Sequence, residues 1–427
     1  MKCFYILLIF TLFSSCKKEE KIIPIANSKE YNKYILDISN ITFNSANSEK
    51  EFWSKRLRPD SSGVGDLGPL AKSYRIMYEA SGEILYLKEA EKLYRKAIII
   101  SAQNKDIYIR KLAKILIIQR QFIEAKLVLE ESYKGKSNKR ATQFILFDVN
   151  LEIGNYTEAY KLLGLLKNTN DYNYLLRLSK WNNYKGNKEA SIRNLEEAMK
   201  IADSRKSKVL QIWTYSHLAD LYINSGRVED AYQLYLKTLQ LQPDHINALK
   251  QLAWILYSYE KNTMEANRLL NSIMTINKFP ELLLFKAEIA EFEENTSESI
   301  QLKNKFIEVV SSEKYGSMYQ RELIEIYSET APSKALQLAK DEIKICNTSD
   351  SYALLAYSLL KNNEKEKALI VIEENVEGKT YDSRALYYQA IIFKANNKTN
   401  KVKDLKDALK NSSFELGNVL NNSINNL

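Results

Sequence analysis

Glycine and proline are scarce in this chain, at 12 and 6 of 427 residues. All-β folds need frequent turns rich in both, so the shortage argues against them and for long helices. Histidine occurs twice, at His217 and His245, too few and too far apart in the chain to suggest a metal site, and each reads as structural. Cysteine occurs three times. Cys3 lies in an apparent leader and Cys16 at its end, so the body keeps Cys346 alone and can form no internal disulfide. Cys346 follows the apolar Ile343 and Ile345 and reads as a small buried hydrophobe. Charge of one sign is also lacking: 62 basic and 53 acidic residues leave +9, and the densest basic clusters, 136–140 and 205–208, are short and fall in apparent loops. That pattern argues against nucleic-acid binding, which concentrates charge in a stripe. Apolar residues at 45% and aromatics at 11% exclude wholesale disorder, and the length exceeds one ordinary core. The chain is therefore either several domains or an elongated array.

The N-terminus opens on Met1-Lys2, runs through ten apolar-rich residues from Phe4 to Phe13, and reaches Ser14-Ser15 before Cys16. A membrane-spanning helix needs ~20 apolar residues, so this run reads as the core of a cleaved signal peptide. Its small-small-cysteine ending resembles the lipobox of bacterial lipoproteins, although Phe13 stands where Leu, Val or Ile is usual. The resemblance implies diacylation of Cys16 and attachment to the membrane, because each buried CH2 contributes ~0.8 kcal/mol. An ordinary secretory leader with an incidental cysteine is the other reading. The charge run Lys17 to Lys21 resembles the surface-export tags of some Gram-negative lipoproteins, or is a plain solvated tether.

Self-similarity governs the rest. A polar residue followed by a small one recurs at Glu89-Ala90, Glu124-Ala125, Glu158-Ala159, Glu189-Ala190, Asp230-Ala231, Glu265-Ala266, Glu298-Ser299, Lys334-Ala335 and Lys367-Ala368. The steps are 35, 34, 31, 41, 35, 33, 36 and 33 residues. Twelve residues before several of them stands another alanine, at Ala113, Ala219, Ala287 and Ala356, while Ala253 is one place out and Ala390 implies a tenth unit. Helices cross closely only where side chains are small, so each pair marks the seam of a helical hairpin. The 41-residue step near 202–208 implies a lengthened helix pair or loop, and the unit around 315–339 is weak.

The clearest unit runs from Ile212 to His245. Tyr215, Leu218, Ala219 and Tyr222 stand on its first helix, Gly226 at its turn, Ala231 and Tyr235 on its second helix, and Pro243 at its end. These residues resemble the tetratricopeptide repeat, and the resemblance covers residues 71 to about 410. It implies an all-α, right-handed superhelical solenoid of about nine to ten hairpins, with first helices lining a concave groove that binds partners. Carried onto this chain, the groove positions are Arg110, Lys114, Asp148, Glu152, Asn182, Asn183, Trp213, Asp220, Asn224, Glu288 and Glu291, a lining that changes sign along its length. The Lys and Asn pattern with which some members clamp a peptide carboxyl terminus is absent.

The expected organisation is a signal peptide over 1–15, a lipidated cysteine and tether over 16–46, a capping helix and Gly-rich linker over 47–70, the array over 71–410, and a cap or tail over 411–427. Ser48-x-x-Glu51 suggests the start of the capping helix, with Phe52, Trp53 and Leu57 placed to cover the first repeat. Gly63 to Gly68 spells GxGxxG, but no strand precedes it, so it reads as a linker and not as a nucleotide site. No nucleophile with a base, no paired carboxylates in a cleft and no ligand cluster can be singled out, so the chain is expected to be no enzyme and to need no cofactor or metal. The expected role is an envelope adaptor or scaffold for another protein or peptide. The alternative is an outer-membrane lipoprotein that captures glycan or peptide nutrients for an import channel.

Overall fold

The computed structural model describes residues 23–36, 38–57, 63–135 and 138–427. The expected signal peptide and Cys16 lie outside the described residues. Among those described the secondary structure is helical throughout, with no strand, and no helix is long and apolar enough to cross a membrane.

Two helices, α1 (Ser28–Ile35) and α2 (Ile41–Arg56), precede ten hairpins. The first five pair α3 (Val64–Ser81) with α4 (Ile84–Ile100), α5 (Lys105–Ile118) with α6 (Phe122–Tyr133), α7 (Lys139–Glu152) with α8 (Tyr156–Leu165), α9 (Tyr172–Tyr184) with α10 (Lys188–Ser204), and α11 (Lys208–Ile223) with α12 (Val228–Leu241). The second five pair α13 (Ile246–Trp254) with α14 (Thr263–Ile276), α15 (Glu281–Phe292) with α16 (Thr296–Val310), α17 (Gln320–Thr330) with α18 (Pro332–Ile345), α19 (Ser349–Lys361) with α20 (Lys365–Asn375), and α21 (Ser383–Ala395) with α22 (Thr399–Asn411). A last helix, α23 (Ser413–Asn425), closes the array.

The periodic small residues form the seams. Ala90, Ala125, Ala159, Ala231, Ala266, Ala335 and Ala368 are fully buried. The fourth hairpin departs from the expected register: Ser191, not Ala190, occupies its seam, facing Ser179 twelve residues earlier at 2.9 Å between hydroxyls. In the sixth, a π-helical turn over Ile255–Tyr259 continues α13. Such a turn takes up one extra residue, which accounts for Ala253 standing one place out. The long step near 202–208 is absorbed by lengthened helices, α10 with 17 residues and α11 with 16.

Glycine can be rare because the hairpin turn does not demand it. The residue two before the second helix is left-handed at Arg120, Gly154, Gly186, Gly226, Lys261, Glu294, Asn363 and Asn397, with φ between 55° and 80°. Five of these are not glycine and bear the steric cost of that conformation. The next residue repays part of it where Asn187, Asn262 or Asn295 accepts the N–H three residues on as an N-cap.

The array coils on itself in two tiers. Hairpin turns of the first, third and fourth units dock on the junctions between units of the second five: Lys278 N–H donates to Ser81 C=O at 2.7 Å, Asn347 N–H donates to Ile153 C=O at 3.2 Å, and the Tyr381 ring lies against Gly186. Arg120 reaches across to the buried Glu342 and, at 3.5 Å, to the Cys346 sulfur. Tyr315 and Tyr319, in the stretch before α17, enter the same apolar core as Tyr78, Leu112 and Phe147 of the first tier. That diversion, together with an 11-residue α17, explains why the eighth unit is hard to read in the sequence. Cys346 is buried at 4% exposure, in line with its reading as a small apolar residue.

Several expectations for the ends are corrected. Helix α2 starts at Ile41, capped by Asn40, whose side chain accepts Phe43 N–H at 3.1 Å; Ser48 lies inside the helix and bonds back to Asn44 C=O. Residues from Val64 onward are the first turns of α3, not a linker, and Pro69 sits within that helix. The segment expected as a tether carries α1, which packs on α12 and α14. The C-terminal segment is a packed cap. Asn418 donates to Tyr257 C=O at 2.6 Å, a carbonyl within the π turn, while Trp254 and Ser258 donate to Phe414 C=O.

Candidate interaction surface

First helices of both tiers turn polar side chains towards the axis, where the two turns of the coil face each other. Asp148 is held by Arg177 at 2.5 Å and Lys180 at 3.0 Å; burial works against its charge, but those two cations keep its carboxyl below the usual carboxylate range. Lys114 is open to water yet walled in, and burial, with Arg177 and Arg75 nearby, pushes its ammonium down. Glu152 is raised by burial, with Asp148 adding to the effect. Arg110 donates to Thr142 at 3.4 Å. Trp213 stacks on His217 at 3.7 Å, and its carbonyl lies 2.8 Å from His217 Nδ1. Asp220 accepts the Tyr235 hydroxyl at 2.6 Å, Glu288 accepts that of Tyr257 at 2.9 Å, and Glu291 pairs with Lys303. Burial pushes both the Asp220 and the Glu288 carboxyl up.

The remaining groove positions lie elsewhere. Asn182 C=O accepts Asn187 N–H at 2.9 Å within the turn. Asn183 and Asn224 line a small polar cavity of about 160 Å³ between the tiers, shared with Asp350, Lys379 and Glu415. The structure therefore brings Lys114, Asp148 and Glu152 together, and links Trp213 to Asp220 through His217, but most of these groups already have partners within the chain.

A second surface was not singled out by sequence reasoning. Helices α2, α3 and α5 enclose an open groove of about 780 Å³ lined by Ser48, Glu49, Phe52, Trp53, Gly68, Pro69, Lys72, Ile107, Tyr108 and Lys111. Of the residues expected to cover the first repeat, Trp53 and Leu57 are half-buried but Phe52 is 53% exposed, and Ile107 across the groove is 44% exposed. Tyr108 lies against Gly68, its hydroxyl 3.3 Å from Val64 C=O, which fixes the groove floor. Among the described residues no ion pair joins Lys72 or Lys111 to a carboxylate. Burial, then Arg75, Lys114 and Lys72, push the Lys111 ammonium below the ordinary lysine range. An apolar, aromatic trough that carries Lys72 and Lys111 outside any ion pair among the described residues suits an anionic partner with an apolar side chain. Phe52 and Trp53 were visible as apolar residues, but their exposure depends on where α2 packs.

No protein-family model matches the chain, and no curated protein matches it. Solved structures to which it is similar include a tetratricopeptide repeat protein from Parabacteroides merdae, at 14% identity over 58% of this chain and 97% of that one, with a TM-score of 0.38. Yeast Tom70 is 11% identical over 86% and 91% of the two chains, with a TM-score of 0.40. The C-terminal part of a TPR repeat-containing protein from Cytophaga hutchinsonii is 18% identical over 62% and 99%, with a TM-score of 0.31. At these scores the fold assignment rests on the ten hairpins and their buried small-residue seams.

Proposed function

We propose that this protein is a lipid-anchored adaptor of the bacterial cell envelope, which holds a partner protein by an acidic segment bearing an aromatic or aliphatic side chain. The observation that carries this reading is the groove between α2, α3 and α5, where Phe52, Trp53 and Tyr108 stand beside Lys72 and Lys111. An apolar anchor buried there contributes ~1.5–3 kcal/mol, and a carboxylate meets Lys72 and Lys111, neither of which forms an ion pair among the described residues. The anchor is Cys16, at the end of the lipobox-like leader.

Two measurements test it. Palmitate labelling in cells should be lost in Cys16→Ser. Fluorescence anisotropy of the lipidated protein in nanodiscs, against acidic-aromatic, neutral and basic peptides, should show binding of the first set, lost in Lys72→Glu with Lys111→Glu and kept in Lys365→Glu with Lys367→Glu. Binding that ignores the groove reversal overturns the assigned site. Binding of oligosaccharides in place of peptides transfers the groove to the nutrient-capture reading.

A further inference from the structure

The attachment of residues 25–27 to the array bears on which end of it lies at the membrane; this inference rests on the anchored reading above. Ile25 and Ala26 both donate their backbone N–H to Glu260 Oε1 at 2.7 Å, and Asn27 N–H meets the Tyr232 hydroxyl at 3.0 Å. The chain is thus pinned within a few residues of its first described position, Ile23, to the turn that joins α13 to α14. From Cys16 to Ile23 the backbone can span at most ~25 Å.

That turn belongs to one rim of the coil. The first-tier hairpin turns at Ser81, Ile153 and Gly186 are occupied by docking on second-tier junctions. The hairpin turns of the second tier are therefore left on the outer edge, where neighbouring turns touch: Ser333 Oγ donates to Asn362 Oδ1 at 3.2 Å, and Asn396 Nδ2 donates to Lys365 C=O at 3.0 Å. The opposite rim is formed by first-tier junctions such as the one between α8 and α9.

We infer that the second-tier rim around Lys261 faces the lipid bilayer and that the first-tier rim points away from it. Helices of 17 and 14 residues, such as α4 and α14, stack to about 45 Å at 1.5 Å per residue, so the two rims are well separated. The groove between α2, α3 and α5 uses the starts of α3 and α5 and the end of α2, all at the first-tier rim. It opens towards the aqueous side, where a partner can enter.

The test uses the lipidated full chain in phosphatidylcholine vesicles doped with an acceptor-labelled lipid. A donor dye is placed at Lys261→Cys or at Thr169→Cys, while native Cys346 is 4% exposed and shielded from labelling. Energy transfer to the bilayer should be clearly stronger from position 261 than from 169, since the rims are ~45 Å apart. Equal transfer, or stronger transfer from 169, overturns the orientation. In Glu260→Ala, whose helical circular dichroism should be unchanged, the asymmetry should shrink; an unchanged ratio overturns the role of the strap. Intact mass is read first: a chain without acyl groups overturns the anchored reading itself, whereas an acylated chain with equal transfer overturns this inference alone.

Discussion

The carbonyl of Asn347 occupies the space that a Cβ on Gly154 would need, and the Asn347 N–H donates to the Ile153 carbonyl beside it at 3.2 Å. One hairpin turn of the first tier is thereby pressed against backbone of the second. Gly154 also stands at φ 79°, where a side chain is strained in its own right. Gly154→Ala should therefore cost about 3 kcal/mol or more, because backbone must move to admit the methyl group. Gly226, at φ 80° but with open space around it, supplies the control. Gly226→Ala should cost about 1 kcal/mol from strain alone. Equal midpoints in urea for the two variants would refute the close docking.

The tiers are also tied by Arg120 and Glu342, whose side chains are 16% and 0% exposed. Removing one partner leaves a charge without its counterion in a desolvated place, which costs about 3–5 kcal/mol. Arg120→Ala and Glu342→Ala should each lose that much. Arg120→Met with Glu342→Leu should recover most of it, so a double-mutant cycle in chemical denaturation should show strong coupling. Additive losses would mean that the pair does not bridge the tiers.

Ser179 and Ser191 take the seam positions that alanines hold in other hairpins, and their hydroxyls bond to each other. Replacing both by alanine removes donor and acceptor together and should be nearly neutral, within about 1 kcal/mol. Ser191→Leu should destabilise by about 1–3 kcal/mol through overpacking. Leucine tolerated at 191 but not at the neighbouring 190 would restore the register expected from sequence. Thermal melting of the three variants decides between them.

His245 caps α13, its Nδ1 accepting Ala248 N–H at 3.2 Å, and burial followed by the nearby His217 lowers its pKa to about 4. The unfolded imidazole titrates near 6.5. Between these values the unfolded chain binds the proton and the folded one does not, so stability is full above about pH 6.5 and falls as pH drops towards 4. The loss from this group should be about 3 kcal/mol. In His245→Asn the cap is kept and the titration removed, so that part of the acid dependence should disappear from a pH series of urea midpoints.

Repeat number, hairpin seams and the all-helical class were legible in the sequence because they depend on nearest neighbours. A buried Ala113 needs only the helix twelve residues on, and the 12-residue offset records that need directly. Deviations from the pattern were legible as deviations but not as structures. The shift at Ala253 became a π turn, and the weak eighth unit reflects Tyr315 and Tyr319 packing against residues more than 200 positions earlier.

The candidate surface divided in the same way. Residue type and periodicity put Asp148, Asp220 and Glu288 on the inner helices, but could not say that Arg177, Tyr235 and Tyr257 would satisfy them. Nor could they say that Lys72 and Lys111 would share a groove with Phe52 and Trp53 and form no ion pair among the described residues. The sequence by itself determined the hairpin, its turn and its seam, because each is set by residues within one repeat of one another. Coiling into two tiers, the strap across α12 and α14, and the open groove were decided by the tertiary structure alone, because small rotations between successive repeats accumulate and bring together groups that local chemistry does not link.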